Sequence, residues 1–182
     1  NYRLAYDVVE DDAIIPLCDI HGRIGGFIRR VNNIPKLVNG SPKYLYPKGL
    51  GISKYLFGAD VAHRNFHLSN ETSRLVITEG SIDAMSVHNL VPNTYGVAVL
   101  GARISRHQLE IIKKIAPAHI IIATDRDRAG REAEIQIKYE LEKLRMGCNI
   151  SCLSWDKKLG KDLAELDIFA RKEILLQAIK NA

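Results

Sequence analysis

From residue 74 onward, short apolar runs alternate with longer amphipathic stretches. The runs predict strands at Leu75–Thr78, Tyr95–Leu100, His119–Thr124 and Asn149–Leu153. The amphipathic stretches predict helices at Ile82–Leu90, Arg106–Ile115, Ala129–Leu144 and Leu163–Ile179. Strands that alternate with helices imply a parallel sheet covered by helices on both faces. The pattern therefore predicts an α/β fold.

The residues before 74 differ in character and predict a smaller α+β subdomain. Ala13–Leu17 and Ile24–Val31 are apolar runs on either side of a turn at Gly22, which predicts a β-hairpin. Asn32–Leu50 is rich in Pro, Gly and Asn and has no sustained periodicity. We therefore divide the chain into a basic N-terminal subdomain (1–73), an α/β domain (74–160) and a C-terminal helical segment (161–182) packed on the α/β domain.

Length and composition limit the number of domains, the class of protein and the cellular location that we expect. At 182 residues with 46% hydrophobic content, the chain can bury the core of one domain and part of another. No apolar run reaches the roughly 18–20 residues that span a bilayer, and no secretory signal begins the chain. Its three cysteines are too few for a disulfide framework, and Cys148 and Cys152 are expected to be core thiols. We expect a cytoplasmic location and, because no Met begins the chain, a piece of a longer protein.

The net charge of +5 is concentrated in the first third of the chain. Between residues 13 and 73, eight Lys and Arg residues face three acids, and aromatic residues are interleaved in Lys43–Lys48 and Lys54–Phe57. Cations that meet phosphates and rings that stack on bases suit single-stranded nucleic acid. An ordinary solvated surface with partly buried aromatic rings explains this stretch equally well.

Polar residues follow three of the predicted strands. Glu79 follows the first strand, Leu100–Ser105 follows the second, and Asp125 and Asp127 follow the third. Because ligands of parallel sheets bind beyond the carboxyl ends of the strands, we expect these side chains to converge at one edge. Gly80 allows a tight turn there, and the next residue, a serine, is expected to cap the helix that follows.

A bound cation can offset the repulsion between converging carboxylates. They raise each other's pKa unless a positive charge lies between them. Mg²⁺ is typically held by one or two carboxylates together with waters and phosphates. An isolated Asp-x-Asp could instead be a solvated turn in which Asp127 caps the helix that begins near Ala129. The addition of Glu79 favours a metal site, because three converging acids would cost stability without a cation.

Glu79-Gly80 after one apolar strand and Asp125-x-Asp127 with Ala129-Gly130-Arg131 after another resemble the Toprim fold. The flanking motifs Thr78–Asp83, Leu100–Ser105 and Asp125–Arg131 resemble those of DnaG-like primases, including phage and plasmid forms. Ile15–Leu17, Gly22–Arg30 and Ser41–Leu45 resemble the N-terminal part of the primase polymerase core. The resemblance covers about residues 13–165. It implies a Toprim-type parallel sheet flanked by helices and preceded by a smaller basic α+β subdomain.

The resemblance also implies an activity, DNA-directed synthesis of RNA primers in DNA replication. This is nucleotidyl transfer from ribonucleoside triphosphates on a single-stranded DNA template, with Mg²⁺ as the cofactor and Mn²⁺ as an alternative. The implied partners are the template, the triphosphates and the RNA primer. A replicative helicase would be contacted through parts outside this chain, and no membrane partner is implied.

Site residues follow from the same resemblance, position by position. In the family, the glutamate and the Asp-x-Asp pair bind Mg²⁺ and perform catalysis; they match Glu79, Asp125 and Asp127, with Glu79 either a ligand or a general base. Asp83 and Asp162 are expected to be further metal ligands. The residues expected to bind triphosphate or template are Arg29, Arg30, Lys43 and Lys54. Arg126 and Arg128 are expected either to reach phosphate or to be ordinary surface residues.

The end of the fourth strand departs from the primase pattern, which usually carries two acidic positions there. Asp162 matches one of them, and it is also expected to cap a helix that begins at Leu163. The other corresponds to Gly160 or is displaced to Asp156.

Three alternatives use the same acids differently. A Toprim nuclease would direct water at a phosphodiester, and a nucleic-acid-binding regulator would only position Mg²⁺. A type IA topoisomerase needs a nucleophilic tyrosine on a separate large domain, which this sequence lacks. The basic N-terminal stretch favours primase over all three. The sequence contains no Cys/His zinc-binding module and no helicase domain, and without the zinc-binding module weak activity is expected for this chain alone.

Overall fold

The structure, a computed structural model, describes residues 2–32, 37–38, 40, 42–66 and 72–181. Within these ranges the chain forms two four-stranded sheets, one antiparallel and one parallel. Ser41, the first residue of the primase-like motif Ser41–Leu45, lies outside the described residues.

The antiparallel sheet lies within the basic N-terminal piece of the chain. Its strands lie in the order β1 (Ala5–Asp7), β2 (Asp12–Cys18), β3 (Ile24–Val31) and β4 (Tyr44–Leu45). The β2–β3 hairpin confirms the prediction, and its turn is closed by Asp19, whose side chain accepts the N–H groups of His21 and Arg23. Strand β1 was not predicted, because it is short and largely exposed and so has no apolar pattern.

The parallel sheet has the strand order β6-β5-β7-β8. Its strands are β5 (Arg74–Thr78), β6 (Thr94–Ala98), β7 (His119–Ile122) and β8 (Asn149–Cys152). The helices are α1 (Ala59–Phe66), α2 (Ser81–Val87), α3 (Arg106–Ile115), α4 (Arg128–Lys143) and α5 (Ile168–Lys180). The predicted fold class, an α/β fold with a parallel sheet flanked by helices, is confirmed.

Alternating strand residues fill two cores on opposite faces of the parallel sheet. Ile77 and Ile122 pack among residues of α1, α3 and α4 on one face. Val76 and Ile121 pack on the other face against α2, α5 and Trp155. Side chains of a strand alternate between faces, so strands that are apolar throughout need cover on both sides, as in this sheet.

Two predicted helix boundaries are wrong. The helix predicted at Ile82–Leu90 ends at Val87 because Asn89 has a positive φ of 58°, which stops helical continuation. The helix predicted at Leu163–Ile179 begins only at Ile168, where Asp167 caps it by accepting two backbone N–H groups. The residues just before it form a turn, although their apolar spacing resembles that of a helix.

Two predicted caps are also wrong. Ser81 is the first residue of α2, its N-cap is Gly80, and the buried Ser81 hydroxyl has no hydrogen-bond partner within the described residues. Asp162 caps no helix; it closes a turn by accepting the N–H of Glu165 at 3.0 Å. Asp127 does cap α4, as the solvated-turn alternative expects, because its side chain accepts the N–H of Gly130 at the start of that helix.

The two sheets are joined by a shared core and by hydrogen bonds. Ile15, Leu17 and Ile28 of the antiparallel sheet pack with Ala84 and Ala98 of the α/β part. Gln108 on α3 donates from its buried amide to the carbonyls of Tyr55 and Val99, at 2.7 and 2.8 Å. These contacts fix the basic piece beside the carboxyl ends of the parallel strands.

Two smaller expectations concern membranes and thiols. Within the described part of the chain, no helix combines the length and the apolar character needed to cross a bilayer.

Cys18, Cys148 and Cys152 are free and partly buried, and the last two pack against the core. Their placement agrees with the expectation of core thiols.

Candidate active site

A pocket of about 550 Å³ opens where the carboxyl ends of the parallel strands face the antiparallel sheet. Acidic side chains line one part of it and basic and aromatic side chains line another. The acidic lining residues are Glu79, Asp83, Asp125, Asp162 and Glu165. The basic and aromatic ones are Arg30, Lys43, Lys161, Tyr44 and Tyr46. Sequence motifs that lie far apart in the chain therefore meet in one volume.

Glu79 and Asp125 meet because their strands are neighbours. Strands β5 and β7 pair in parallel, with Ile77 opposite Ile122, so the residues that follow the two strands lie side by side. The Glu79 carboxylate accepts the backbone N–H of Asp125 at 3.0 Å. The predicted convergence of these two acids is thus present in the structure.

Lys161 lies between the two aspartates of the Asp-x-Asp motif. Its Nζ is 3.2 Å from Asp125 Oδ2 and 3.1 Å from Asp127 Oδ2. The sequence predicts a divalent cation between these carboxylates, and in this structure the positive charge between them is the Lys161 ammonium. Sequence reasoning missed Lys161, because an ion pair between a loop lysine and a distant turn leaves no periodic pattern.

The loop that carries Lys161 is tied to its surroundings at several points. The Lys161 N–H donates to Glu165 Oε2 at 2.6 Å, and its carbonyl accepts the N–H of Arg126 at 2.7 Å. The guanidinium of Arg171 donates to the carbonyls of Leu163, Ala164, Leu166 and Ser86. Arg171 thereby joins the loop to helices α2 and α5.

Asp83 and Asp162 form a second carboxyl pair in the pocket. Asp83 Oδ1 accepts the N–H of Ala164 at 3.0 Å. Burial and the adjacent charge of Asp162 raise the pKa of Asp83 to about 7. The two residues predicted as further metal ligands are therefore brought together, although Asp162 is 79 residues beyond Asp83 in the sequence.

The pKa values of the remaining acids show two environments. Burial raises the pKa of Glu79, and the charges of Asp125 and Asp127 add to that effect. Burial also raises the pKa of Asp125, and this outweighs the opposite effect of Lys161. The Gly130 N–H and Lys161 lower the pKa of the more exposed Asp127, while the two aspartates raise the pKa of Lys161. The site thus holds a lysine ammonium between Asp127, whose pKa is lowered, and Asp125, whose pKa, like that of Glu79, is raised.

Two of the four predicted phosphate-binding cations line the pocket. Arg30 donates to the hydroxyl of Tyr44 at 2.9 Å, its guanidinium carbon lies 5.3 Å from that ring's centroid, and Lys43 precedes the ring in the chain. Arg29 instead pairs with Asp12 at 2.6 Å, and Lys54 lies on an exposed 3₁₀ turn; neither lines the pocket. The roles of all four residues stay predictions.

Other charged residues of the motifs are engaged elsewhere. Arg126 lies over the Trp155 ring and donates to Ser154, and Arg128 pairs with Glu132 on the surface of α4. Asp156 caps a 3₁₀ turn and does not line the pocket. For Arg126 and Arg128, these contacts favour the surface alternative over phosphate binding.

The donor chemistry of the site fits a hard divalent cation. Its ligands would be carboxylate oxygens, which Mg²⁺ prefers, and the Asp125–Asp127 pair already holds a positive group. As they stand, no three His, Cys, Asp or Glu side chains within the described ranges are arranged to hold a metal ion. Lys161 already occupies Oδ2 of both Asp125 and Asp127.

The sequence of the chain matches a known family and known primases. Residues 76–166, half of the chain, match the Toprim-like family. The DNA primase of Synechococcus elongatus is 30% identical over 163 residues, which are 88% of this chain and 22% of that protein. The DNA primase of Clostridium acetobutylicum is 28% identical over 183 residues, 99% of this chain and 28% of that protein. The chain spans about a quarter of the length of these curated relatives.

Solved structures give the same result for the fold. A structure of the Aquifex aeolicus primase with its zinc-binding and RNA polymerase domains matches with a TM-score of 0.72 and 25% identity, over 93% of this chain and 40% of that one. A DnaG primase catalytic domain bound to single-stranded DNA matches with a TM-score of 0.71 and 25% identity, over 98% of this chain and 56% of that one. Both matches span nearly the whole chain, so they include the antiparallel sheet as well as the parallel one.

Proposed function

Because this chain belongs to the Toprim-like family and has the fold of a DnaG-type primase core, we propose that it synthesises RNA primers on single-stranded DNA during replication. The reaction joins the 3′-hydroxyl of one ribonucleotide to the α-phosphate of an incoming ribonucleoside triphosphate. The proposal makes the chain a nucleotidyltransferase and names the triphosphates, the template and the RNA primer as its partners.

One observation carries this proposal: carboxylates and a basic aromatic wall line the same pocket. A triphosphate needs cations for its phosphates, and a base needs an apolar face on which to stack. Lys43 and Arg30 supply the first, and Tyr44 and Tyr46 supply the second. A site that bound metal ions alone would need neither these basic side chains nor these aromatic rings.

The carboxylates take the metal-binding role in the proposal. Asp125 and Asp127 would hold a divalent cation, and Asp83 and Asp162 would supply further ligands. When bound, Mg²⁺ supplies a positive charge that neutralises charge on the phosphates and lowers the pKa of a bound hydroxyl. Mn²⁺, which also accepts carboxylate oxygens, is the expected substitute.

Glu79 has a positioning contact that supports its inclusion in the site. Its carboxylate accepts the Asp125 N–H at 3.0 Å, which fixes the first residue of the Asp-x-Asp turn. Burial keeps its pKa raised, as is expected for a group that accepts a proton from a reacting hydroxyl. Glu79 therefore acts either as a ligand or as a general base in the proposed reaction.

We expect the template to contact the basic surface as well, including Lys43, which is assigned to triphosphate or template. Lys43, Lys48 and Lys54 are exposed on the segment between β3 and α1, on either side of the exposed ring of Tyr46. Among the relatives, a DnaG primase catalytic domain is described as bound to single-stranded DNA. This supports single-stranded DNA as the partner here. A replicative helicase would be contacted through parts outside this chain.

The experiment compares products from one reaction. The protein is incubated with circular single-stranded DNA, labelled ribonucleotides and Mg²⁺ or Mn²⁺, and template and products are separated on a denaturing gel. We expect short oligoribonucleotides that form only with template. A linearised template without new RNA would instead assign the site to a nuclease and overturn the proposal.

A further inference from the structure

The position of Lys161 has a consequence for metal binding. Its ammonium bonds the Oδ2 atoms of Asp125 and Asp127 at 3.2 and 3.1 Å, and the lysine side chain is about half exposed. The two aspartates are only partly exposed and belong to the turn that ends β7. Lys161 therefore bridges the two carboxylates that the proposed function gives to a metal ion.

The loop holds this lysine in place through its backbone. The Lys161 N–H is bonded to Glu165, and its carbonyl is bonded to the N–H of Arg126, which lies between the two aspartates in the chain. The Lys161 backbone is thus tied directly to the Asp-x-Asp turn. Lys157 and Lys158, on the nearby 3₁₀ turn, are exposed and offer comparable charges for comparison.

An ammonium group and a divalent cation compete for this position. Both need the same carboxylate oxygens, and two positive charges a few ångströms apart repel each other. A metal that binds both aspartates must first break two ion pairs. In the absence of metal, these same ion pairs offset the repulsion between the aspartates.

We propose that Lys161 is a built-in cation that neutralises Asp125 and Asp127 in the metal-free protein and is displaced when a divalent cation binds. This inference rests on the proposed function for its metal site, and it adds a residue that sets the strength of that site. Lys161 acts as a positioning residue: it keeps the aspartates together without metal and weakens their affinity for it.

The test is metal binding without nucleotide or DNA. Free Mn²⁺ is measured by its paramagnetic resonance signal during titration of the wild-type protein, Lys161→Met and the control Lys158→Met. Loss of partly exposed ion pairs corresponds to roughly a threefold to tenfold change in affinity. We expect Lys161→Met to bind Mn²⁺ more tightly by about this factor and Lys158→Met to bind like the wild type. Equal or weaker binding by Lys161→Met would overturn the inference.

A second measurement needs no change at the site. In the wild-type protein, the lysine ammonium groups are observed by ¹H–¹⁵N NMR, and the Lys161 signal is assigned by its loss in Lys161→Arg. The inference predicts a protected Lys161 signal without metal and its loss to rapid exchange with saturating Mg²⁺. A Lys161 signal that stays unchanged at saturating Mg²⁺ would show that the lysine is not displaced.

The variant Asp125→Asn separates this inference from the proposed function. If the wild type binds Mn²⁺, Asp125→Asn does not, and Lys161→Met binds no more tightly, the metal site stands and the role of Lys161 fails. If neither the wild type nor Lys161→Met binds Mn²⁺, the metal site fails and the inference fails with it.

Discussion

Single residues at this site differ most in how they hold protons. Burial and the adjacent Asp162 raise the pKa of Asp83 to about 7, whereas the Gly130 N–H and Lys161 lower the pKa of Asp127. Carboxyl groups of one cluster are therefore in different protonation states near neutral pH. Burial explains most of this contrast, because Asp83 is the more buried of the two, and the Lys161 ammonium beside Asp127 adds to it.

The raised pKa of Asp83 predicts a pH dependence of stability without metal. Between about pH 4 and about pH 7, folded Asp83 holds a proton that the unfolded chain has released. The free energy of unfolding therefore falls as the pH rises through this window. Asp83→Asn keeps an acceptor for the Ala164 N–H but carries no charge. In EDTA, we expect its urea midpoint to exceed that of the wild type at pH 7.5.

The difference between the two proteins carries the test, because Glu79 and Asp125 also have raised pKa values. It should shrink as the pH is lowered toward 4, where wild-type Asp83 is protonated in the folded state. A difference of the same size at every pH would mean that Asp83 does not titrate as described.

Individual site residues were predictable where they belong to a strand end. Glu79 and Asp125 follow strands whose apolar pattern is plain in the sequence, and the structure places both in the pocket. Lys161 was not predictable, because its role depends on a loop path that no local pattern encodes. Arg29 and Lys54 show the same limit, since a basic residue in a motif gives no sign of which partner it will face.

At the level of elements, helix α4 approaches the Asp-x-Asp turn so closely that only glycine fits at its first turn. A Cβ on Gly130 would lie 2.0 Å from the Asp125 carbonyl oxygen and 2.9 Å from its nitrogen. Backbone atoms cannot move aside as a flexible side chain can. The glycine of the Toprim-like motif therefore sets the position of the aspartates.

The variant Gly130→Ala tests this contact. Overpacking against backbone costs about 1–3 kcal/mol of stability, and we expect a shifted Asp125 to lose Mn²⁺ affinity as well. Gly101→Ala is the control for stability, because a Cβ there meets no atom within 4 Å. Urea unfolding of both variants gives the comparison. A Gly130→Ala protein as stable as Gly101→Ala would mean that the close approach is not required.

Helix boundaries were predictable where capping and apolar period agree. Helix α3 begins after Ser105, which forms a capping box with Gln108, and its predicted range Arg106–Ile115 is the observed one. For helix α5, the apolar period and the position of the cap disagree. Leu163 and Leu166 have helical spacing, but they are buried in a turn that Arg171 holds through backbone carbonyls. The hydrogen bonds from the Arg171 guanidinium to these carbonyls therefore determine the local structure more strongly than the helical spacing of the leucines does.

At the scale of the whole molecule, the site exists because two separate sheets meet. The carboxylates come from the ends of β5 and β7, and the basic wall comes from β3 and the segment around β4. The sequence predicted each half, but it could not predict that Arg30 and Lys43 would face the acids while Arg29 would not. That outcome depends on the packing of Ile15, Leu17 and Ile28 against the α/β part.

Binding of single-stranded DNA to the basic wall predicts a salt dependence. Each phosphate contact on a single strand contributes about 0.7 to the slope of log affinity against log salt concentration. Lys43→Ala should weaken the binding of a single-stranded DNA oligonucleotide of mixed sequence and reduce the magnitude of this slope by about 0.7. Lys114→Ala, on the exposed end of α3, is the matched control and should leave the slope unchanged. An unchanged slope for Lys43→Ala would remove this lysine from the template path.

In the proposed function, the carboxylates at the ends of β5 and β7 catalyse RNA synthesis. Its most direct test is the rate at which α-labelled ribonucleotides enter template-dependent RNA, compared among the wild type, Asp125→Ala and Asp156→Ala. Asp156 carries the same charge but lies outside the pocket lining. We expect Asp125→Ala to retain the wild-type circular dichroism spectrum and lose synthesis by at least about a hundredfold, with Asp156→Ala close to wild type. Full synthesis by a folded Asp125→Ala protein would contradict the account.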